Sequence, residues 1–308
     1  FILFARNIET PDQVRALTAS LRETIGRADA PILIDQEGGR VQRLRPPHWR
    51  SAPPAARFGD AFARDPAGAK EAVRLNHRLI AAELAALGIT LDCAPVLDVP
   101  VAGAHDVIGD RAFARDAKVV AELGRAAVAG LRAGGVIPVV KHIPGHGRAF
   151  ADSHRELPKV VAARAELEAT DFAPFKALSD APWAMTAHVL YAALDPALPA
   201  TQSETVIEGI VRGAIGFAGV LVSDDLGMSA LAGDFRARAG ACLRAGCDVV
   251  LHCSGEMAEI QAVADGAGPL SPAAGKRVAA AETLRRKSLE PFDAAEGRLR
   301  LDALLAGT

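Results

Sequence analysis

The chain has 308 residues, of which 50% are hydrophobic and 23% charged, a balance that fits a globular protein with a large buried core. A net charge of -2 supplies no basic field for nucleic acid and points to a neutral or small polar ligand. The four cysteines are too few for a disulfide framework on this length, and no apolar run approaches the ~20 residues of a membrane helix.

In chain order, short apolar runs alternate with longer Ala-rich stretches. Strands are expected at Phe1–Ala5, Pro31–Asp35, Ile89–Asp98, Val136–His142, Trp183–His188, Gly219–Asp224 and Asp248–His252. Near-continuous apolar text in such runs suits strands buried on both faces of a parallel sheet. Thr10-Pro11 is a helix start, leading into Asp12–Ile25. Further helices are expected at Pro66–Leu87, Ala117–Ala133, Ala163–Ser179, Ser203–Ile215 and Met228–Ala245, with glycines such as Gly88 and Gly246 at their ends. A C-terminal helical extension covers about residues 270–308. The Pro-rich segment Arg45–Ala56 reads as a surface loop, so residues 1–308 form one domain. Cys93, Cys242, Cys247 and Cys253 read as small core residues, since no C-x-x-C spacing is present.

Repeated β-α units imply a parallel sheet, doubly wound or closed into a barrel. Most of the expected strands end on a polar residue: Asp35, Asp98, Lys141-His142, His188, Asp224 and His252. Barrel active sites draw on the C-terminal ends of several strands, which favours a (β/α)8 barrel. The only candidate phosphate loop, Glu37-Gly38-Gly39-Arg40, lacks the dinucleotide pattern. A complete barrel needs eight strands and seven are counted, so the first strand is expected to be missing from this chain.

Three segments carry chemistry. Asp224 closes a buried strand at the sheet's rim, where a carboxylate either faces a site or, with Asp225, caps the following helix. The stretch KHIPGHGRAFADSH, Lys141 to His154, holds three histidines. Within it, Asp152 two residues before His154 can fix the ring's tautomer and raise its basicity, giving a group able to donate and accept protons near neutrality. Gly145 and Gly147 would let this loop swing over a substrate. Pro144 and Gly145 break the helix that a His142/His146 metal pair would need. Asp35 and Arg43 follow an early strand and, with Arg111, are candidates for binding hydroxyls or a carboxylate.

The ordered motifs IDQEGGRVQRL, IGDRAF, KHIPGHG with ADSH, MTAHV and VSDDLGM resemble the family 3 glycoside hydrolases, and within them the bacterial β-N-acetylglucosaminidases of peptidoglycan recycling. The resemblance implies a single (β/α)8 barrel of the family's N-terminal type. It implies Asp224 as nucleophile and His154, supported by Asp152, as acid/base. Sugar binding would fall to Asp35, Arg43, Arg111, Lys141 and His142. Ile143 in place of the commoner Phe, and Arg148-Ala149-Phe150 in a variable loop, depart from the family pattern. The expected activity is retaining hydrolysis of terminal β-linked N-acetylglucosamine from muropeptides by a monomeric, cytoplasmic enzyme, with no metal or organic cofactor and no nucleic-acid or membrane partner. The competing readings are a metal-dependent hydrolase using His142, His146, His154 and Asp152, and a non-catalytic sugar-binding barrel.

Overall fold

The computed structural model describes residues 1–306, so the last two residues of the expected C-terminal extension, Gly307 and Thr308, lie outside the described residues. All seven expected strands form, most of them shorter than expected. They are β1 (Ile2–Leu3), β2 (Leu33–Ile34), β3 (Leu91–Asp92), β4 (Ile137–Ile143), β5 (Trp183–Thr186), β6 (Val220–Asp225) and β7 (Val249–Leu251). Every neighbouring pair is parallel and the spatial order equals the chain order. A doubly wound sheet reverses its strand order at a switch point, whereas a barrel does not. The seven strands are therefore a curled, barrel-type parallel sheet. The outer edges of β1 and β7 face one another across an apolar groove lined by Ile2, Leu21, Val249, Leu251, Ile260 and Val278, which the Arg6 guanidinium crosses to the Cys253 carbonyl.

Strand side chains alternate between two faces. Leu33, Leu91, Cys93, Ile137, Val139, Trp183, Met185, Val220 and Val222 pack together on the inner face. Their sequence neighbours, among them Val140, Ala184 and Leu221, pack outward against the helices. The inner parity carried one step further reaches Asp35, Lys141 and Asp224, which line the mouth of the sheet.

The helices differ from expectation in several places. The Ala163–Ser179 stretch is two short helices, Arg164–Ala169 and Ala173–Ala177. The segment expected to be helical from Met228 begins only at Phe235, where Asp234 accepts the Ala237 N–H as N-cap; residues 226–234 form a loop at the strand ends. Ala55–Phe62 and Met257–Ala267 are helices that the sequence did not announce. The C-terminal extension is the helix pair Pro272–Lys287 and Ala294–Ala306. Cys93, Cys242 and Cys247 are buried as expected, while Cys253 is partly exposed and lines the cleft described below.

Candidate active site

One cleft opens at the C-terminal ends of the strands and encloses roughly 810 Å³, part of it facing solvent. Asp35, Arg43, Arg111, Lys141, His142, His154 and Asp224 all line it. Seven of the eight site residues expected from sequence thus converge on a single cavity, and the eighth, Asp152, binds His154 from behind.

Asp224 sits on the inner face of β6 with only 8% of its surface exposed. Its Oδ1 accepts the Asp225 N–H at 2.8 Å. Burial pushes this carboxyl up, but the imidazoles of His142 and His188, the Asp225 N–H and Lys141 together hold it below the usual aspartate value. Asp225 has the other parity and a different task. Its Oδ1 accepts N–H groups from Gly227 at 2.9 Å and Cys253 at 3.0 Å, tying β6 to the chain after β7. It caps no helix, which corrects the expectation for the Asp224-Asp225 pair: the cap is Asp234, ten residues beyond the catalytic candidate.

Lys141 is buried at the end of β4, with Nζ 2.9 Å from Asp35 Oδ1 and 2.6 Å from Glu37 Oε1. Asp35 also accepts from Arg43 Nη2 at 3.0 Å, and Glu37 takes Arg111 bidentately at 2.8 and 2.9 Å. The result is a chain of alternating charges, Arg43–Asp35–Lys141–Glu37–Arg111. Burial pushes the Asp35 and Glu37 carboxyls up, yet Lys141 and the arginines overcome it and hold both low. Burial likewise lowers the Lys141 ammonium, but Asp35 and Glu37 raise it further, so it stays charged. The resemblance did not single out Glu37, which lies beyond the expected strand Pro31–Asp35, in the short strand Gln36–Gly38.

His142 lies beside this chain. Its Nδ1–H donates to Asp98 Oδ2 at 2.7 Å, and Asp98 Oδ1 accepts the backbone N–H groups of His142 at 3.2 Å and His146 at 2.7 Å. Asp98 is wholly buried. Burial pushes its carboxyl up, but the His142 ring, through its charge and hydrogen bond, and then His146 hold it down to about 2. Asp98 was noted only as a polar strand end, yet it fixes the His142 tautomer and the entry to the loop that follows.

The loop Pro144–Glu156 carries the Asp152–His154 pair. His154 Nδ1 lies 2.8 Å from Asp152 Oδ1, which also accepts the His154 N–H at 3.0 Å. Burial pushes the Asp152 carboxyl up, but the N–H and ring of His154, with a smaller effect from His105, bring it below its ordinary value. The His154 side chain is 60% exposed. Gly145 and Gly147, expected to be hinges, are close-approach positions instead. A Cβ on Gly147 would sit 2.1 Å from the Val99 carbonyl oxygen, and one on Gly145 2.9 Å from Asp171 Cβ. The loop base is further pinned by Tyr191 Oη donating to Gly145 O, and by Arg148 bonding Asp171 at 2.6 Å, Glu166 at 2.7 Å and Thr170 at 2.8 Å. Ser153 docks the loop on the one after β6, its carbonyl accepting the Ala230 N–H at 3.2 Å.

Among the described residues no three His, Cys, Asp or Glu side chains are grouped to hold an ion. The three rings are bound separately, His142 to Asp98, His146 to Ser153 at 3.3 Å and His154 to Asp152.

The glycosyl hydrolase family 3 N-terminal domain matches residues 1–282. A β-hexosaminidase of Alkalilimnicola ehrlichii is 46% identical over 257 residues, covering 82% of this chain and 73% of that protein. NagZ from Neisseria gonorrhoeae, solved in complex with N-trifluoroacetyl-D-glucosamine, superposes with a TM-score of 0.87 at 34% identity, covering 99% of this chain and 90% of its own. A family 3 β-N-acetylglucosaminidase from Paenibacillus sp. str. FPU-7 gives the same TM-score at 33% identity, and this chain spans 61% of its length. The chain belongs to the family 3 glycosyl hydrolases and carries that family's N-terminal domain.

Proposed function

We propose that this chain is a retaining exo-β-N-acetylglucosaminidase. One observation carries the reading: a buried, ionised carboxylate (Asp224) and an exposed, carboxylate-backed imidazole (His154) open on the same cleft as a fixed chain of ionic donors and acceptors. Retaining glycosidases need a nucleophile and an acid/base flanking the scissile bond. Asp224 attacks the anomeric carbon as the glycosidic C–O bond breaks, forming a glycosyl-enzyme, and His154 donates its proton to the leaving oxygen. In the second step His154 takes a proton from water, whose oxygen displaces Asp224 and returns the sugar with its original configuration. Asp152 stabilises the imidazolium that precedes the first step and follows the second. Asp35, Arg43, Arg111, Lys141 and His142 hold the sugar's hydroxyl and acetamido groups.

The relatives' names support N-acetylglucosamine as the sugar. The aglycone we assign is a muropeptide fragment of cell-wall recycling, processed by a cytoplasmic monomer. Among the described residues no helix is long and apolar enough to cross a membrane. The test is hydrolysis of an aryl β-N-acetylglucosaminide by the wild type and by Asp224→Ala. Turnover that drops to background in the variant supports the assignment, and an active Asp224→Ala protein overturns it. A wild type that binds the sugar without turnover would mark a non-catalytic sugar-binding barrel.

A further inference from the structure

Glu37 is charged and buried, it is bonded to two cleft residues, and it has no part in the mechanism above. Its Oε1 receives both Lys141 Nζ at 2.6 Å and Arg111 Nη2 at 2.8 Å, and its Oε2 receives Arg111 Nε at 2.9 Å. Its side chain is almost fully buried and does not line the cleft, whereas Arg111 and Lys141 do. We propose that Glu37 is a positioning residue of the sugar cleft, which aims Arg111 and Lys141 at the bound sugar without touching it.

The argument is a count of donors. A guanidinium has five N–H groups and an ammonium three. Glu37 occupies the Arg111 Nε–H and one Nη2–H, and the Val107 carbonyl takes one Nη1–H at 2.9 Å. One proton on each terminal nitrogen is left for a ligand. Asp35 takes one of the three Lys141 protons at 2.9 Å and Glu37 pairs with the ammonium charge at 2.6 Å, so Lys141 keeps donor capacity for a ligand. Because the partners that are used are buried and fixed, the free donors point in set directions. Bidentate pairing also locks the guanidinium plane, which a single contact would not do. Glu37 further separates two cations that would otherwise repel one another in a poorly solvated site.

Glu37→Gln keeps the shape, and its one oxygen can still face both cations from the Oε1 position, but the negative charge is gone and the Oε2 acceptor of Arg111 Nε becomes an NH2 donor, so the bidentate clamp is broken. This inference rests on the N-acetylglucosaminidase reading, so the assay is hydrolysis of an aryl β-N-acetylglucosaminide. The expected result is a KM about ten- to a hundredfold higher with kcat within about threefold, the signature of lost ground-state and transition-state binding alike. Glu37→Asp keeps the charge but falls one methylene short, and should be intermediate. In an Arg111→Ala background the effect of Glu37→Gln should shrink at least about threefold, because part of what Glu37 aims is already gone. A merely structural glutamate would instead lower kcat along with the folded fraction, and its effect would add to that of Arg111→Ala. If Glu37→Gln does not fold, Glu37→Asp decides: an unchanged KM there overturns the proposal. An active wild type with unchanged KM in Glu37→Gln refutes Glu37 alone. A wild type that neither binds nor cleaves the sugar refutes the underlying reading and the proposal with it.

Discussion

Replacing Asp98 by Asn exchanges one atom of a carboxylate that makes three contacts. Oδ1 accepts two backbone N–H groups, from His142 and His146, so the Asn carbonyl must stay on that side. The new NH2 group then faces His142 Nδ1, where the carboxylate accepted a proton at 2.7 Å. Two donors cannot face each other, so the ring must shift its proton to Nε2 and present the opposite polarity to the cleft. The stability cost follows from linkage. The Asp98 carboxyl, ordinarily at 3.8, is held down to about 2 in the folded chain, a difference worth roughly 2 kcal/mol. A depressed carboxyl contributes that stability in full above its unfolded value and loses it as pH falls through the folded one. Urea unfolding of Asp98→Asn near neutral pH should therefore show a loss of roughly 2 kcal/mol, narrowing at about pH 3. On an aryl β-N-acetylglucosaminide, kcat/KM should fall about ten- to a hundredfold, as for a charge-assisted hydrogen bond worth about 1.5–3 kcal/mol. A variant with wild-type stability and wild-type kcat/KM would refute the reasoning. Lost stability with unchanged kcat/KM would reduce Asp98 to a scaffold residue.

Three further outcomes test the cleft. Gly147→Ala places a methyl group 2.1 Å from a backbone oxygen, so thermal unfolding should show a loss of about 1–3 kcal/mol, with turnover falling as the His154 loop lifts. His154→Ala should lose about 10²-fold or more on substrates with poor leaving groups and much less on activated aryl glycosides, because protonation then matters less; an equal loss on both would remove His154 from the acid role. Incubation with EDTA should leave turnover unchanged, whereas a loss restored by zinc would revive the metal-dependent alternative.

The strands and their chemistry were legible because they depend on short-range pattern. Val220, Val222 and Asp224 share one parity, and Leu33 and Asp35 share another instance of it, so alternation alone could have chosen Asp224 over Asp225 as the inward carboxylate. The helix expected from Met228 failed because composition there is helical while the backbone is used otherwise: Asp225 holds the Gly227 N–H, Ala230 binds Ser153, and the start signal waits for Asp234. Glu37 and Asp98 were harder still. Their importance lies in partners 74 and 44 residues away, Arg111 and His142, and no local pattern encodes such pairs. The glycines of the His154 loop were misread for the same reason, since the Val99 carbonyl that excludes a side chain at Gly147 is distant in sequence.

In the proposed mechanism the two catalytic groups need opposite environments, and the cleft supplies them. A nucleophile must be ionised when the sugar arrives and must not exchange its charge for a proton during the cycle. Asp224 is buried, yet its neighbours hold the carboxyl below its ordinary value, so ionisation is secured by fixed partners and not by solvent. The acid/base must do the reverse, giving a proton in one step and taking one from water in the next. His154 is open to water over more than half its side chain and is held by Asp152 on Nδ1, which directs Nε2 toward the leaving oxygen in the proposed reaction. An exposed group on a freely moving loop would lose its aim. Arg148, Tyr191, the tight passage at Gly147 and the docking of Ser153 on Ala230 hold the backbone of this loop, so it is the exposed His154 side chain that has room to follow the leaving group. Rigid support below an exposed side chain lets one histidine stay accessible to water and still meet the same oxygen in every turnover.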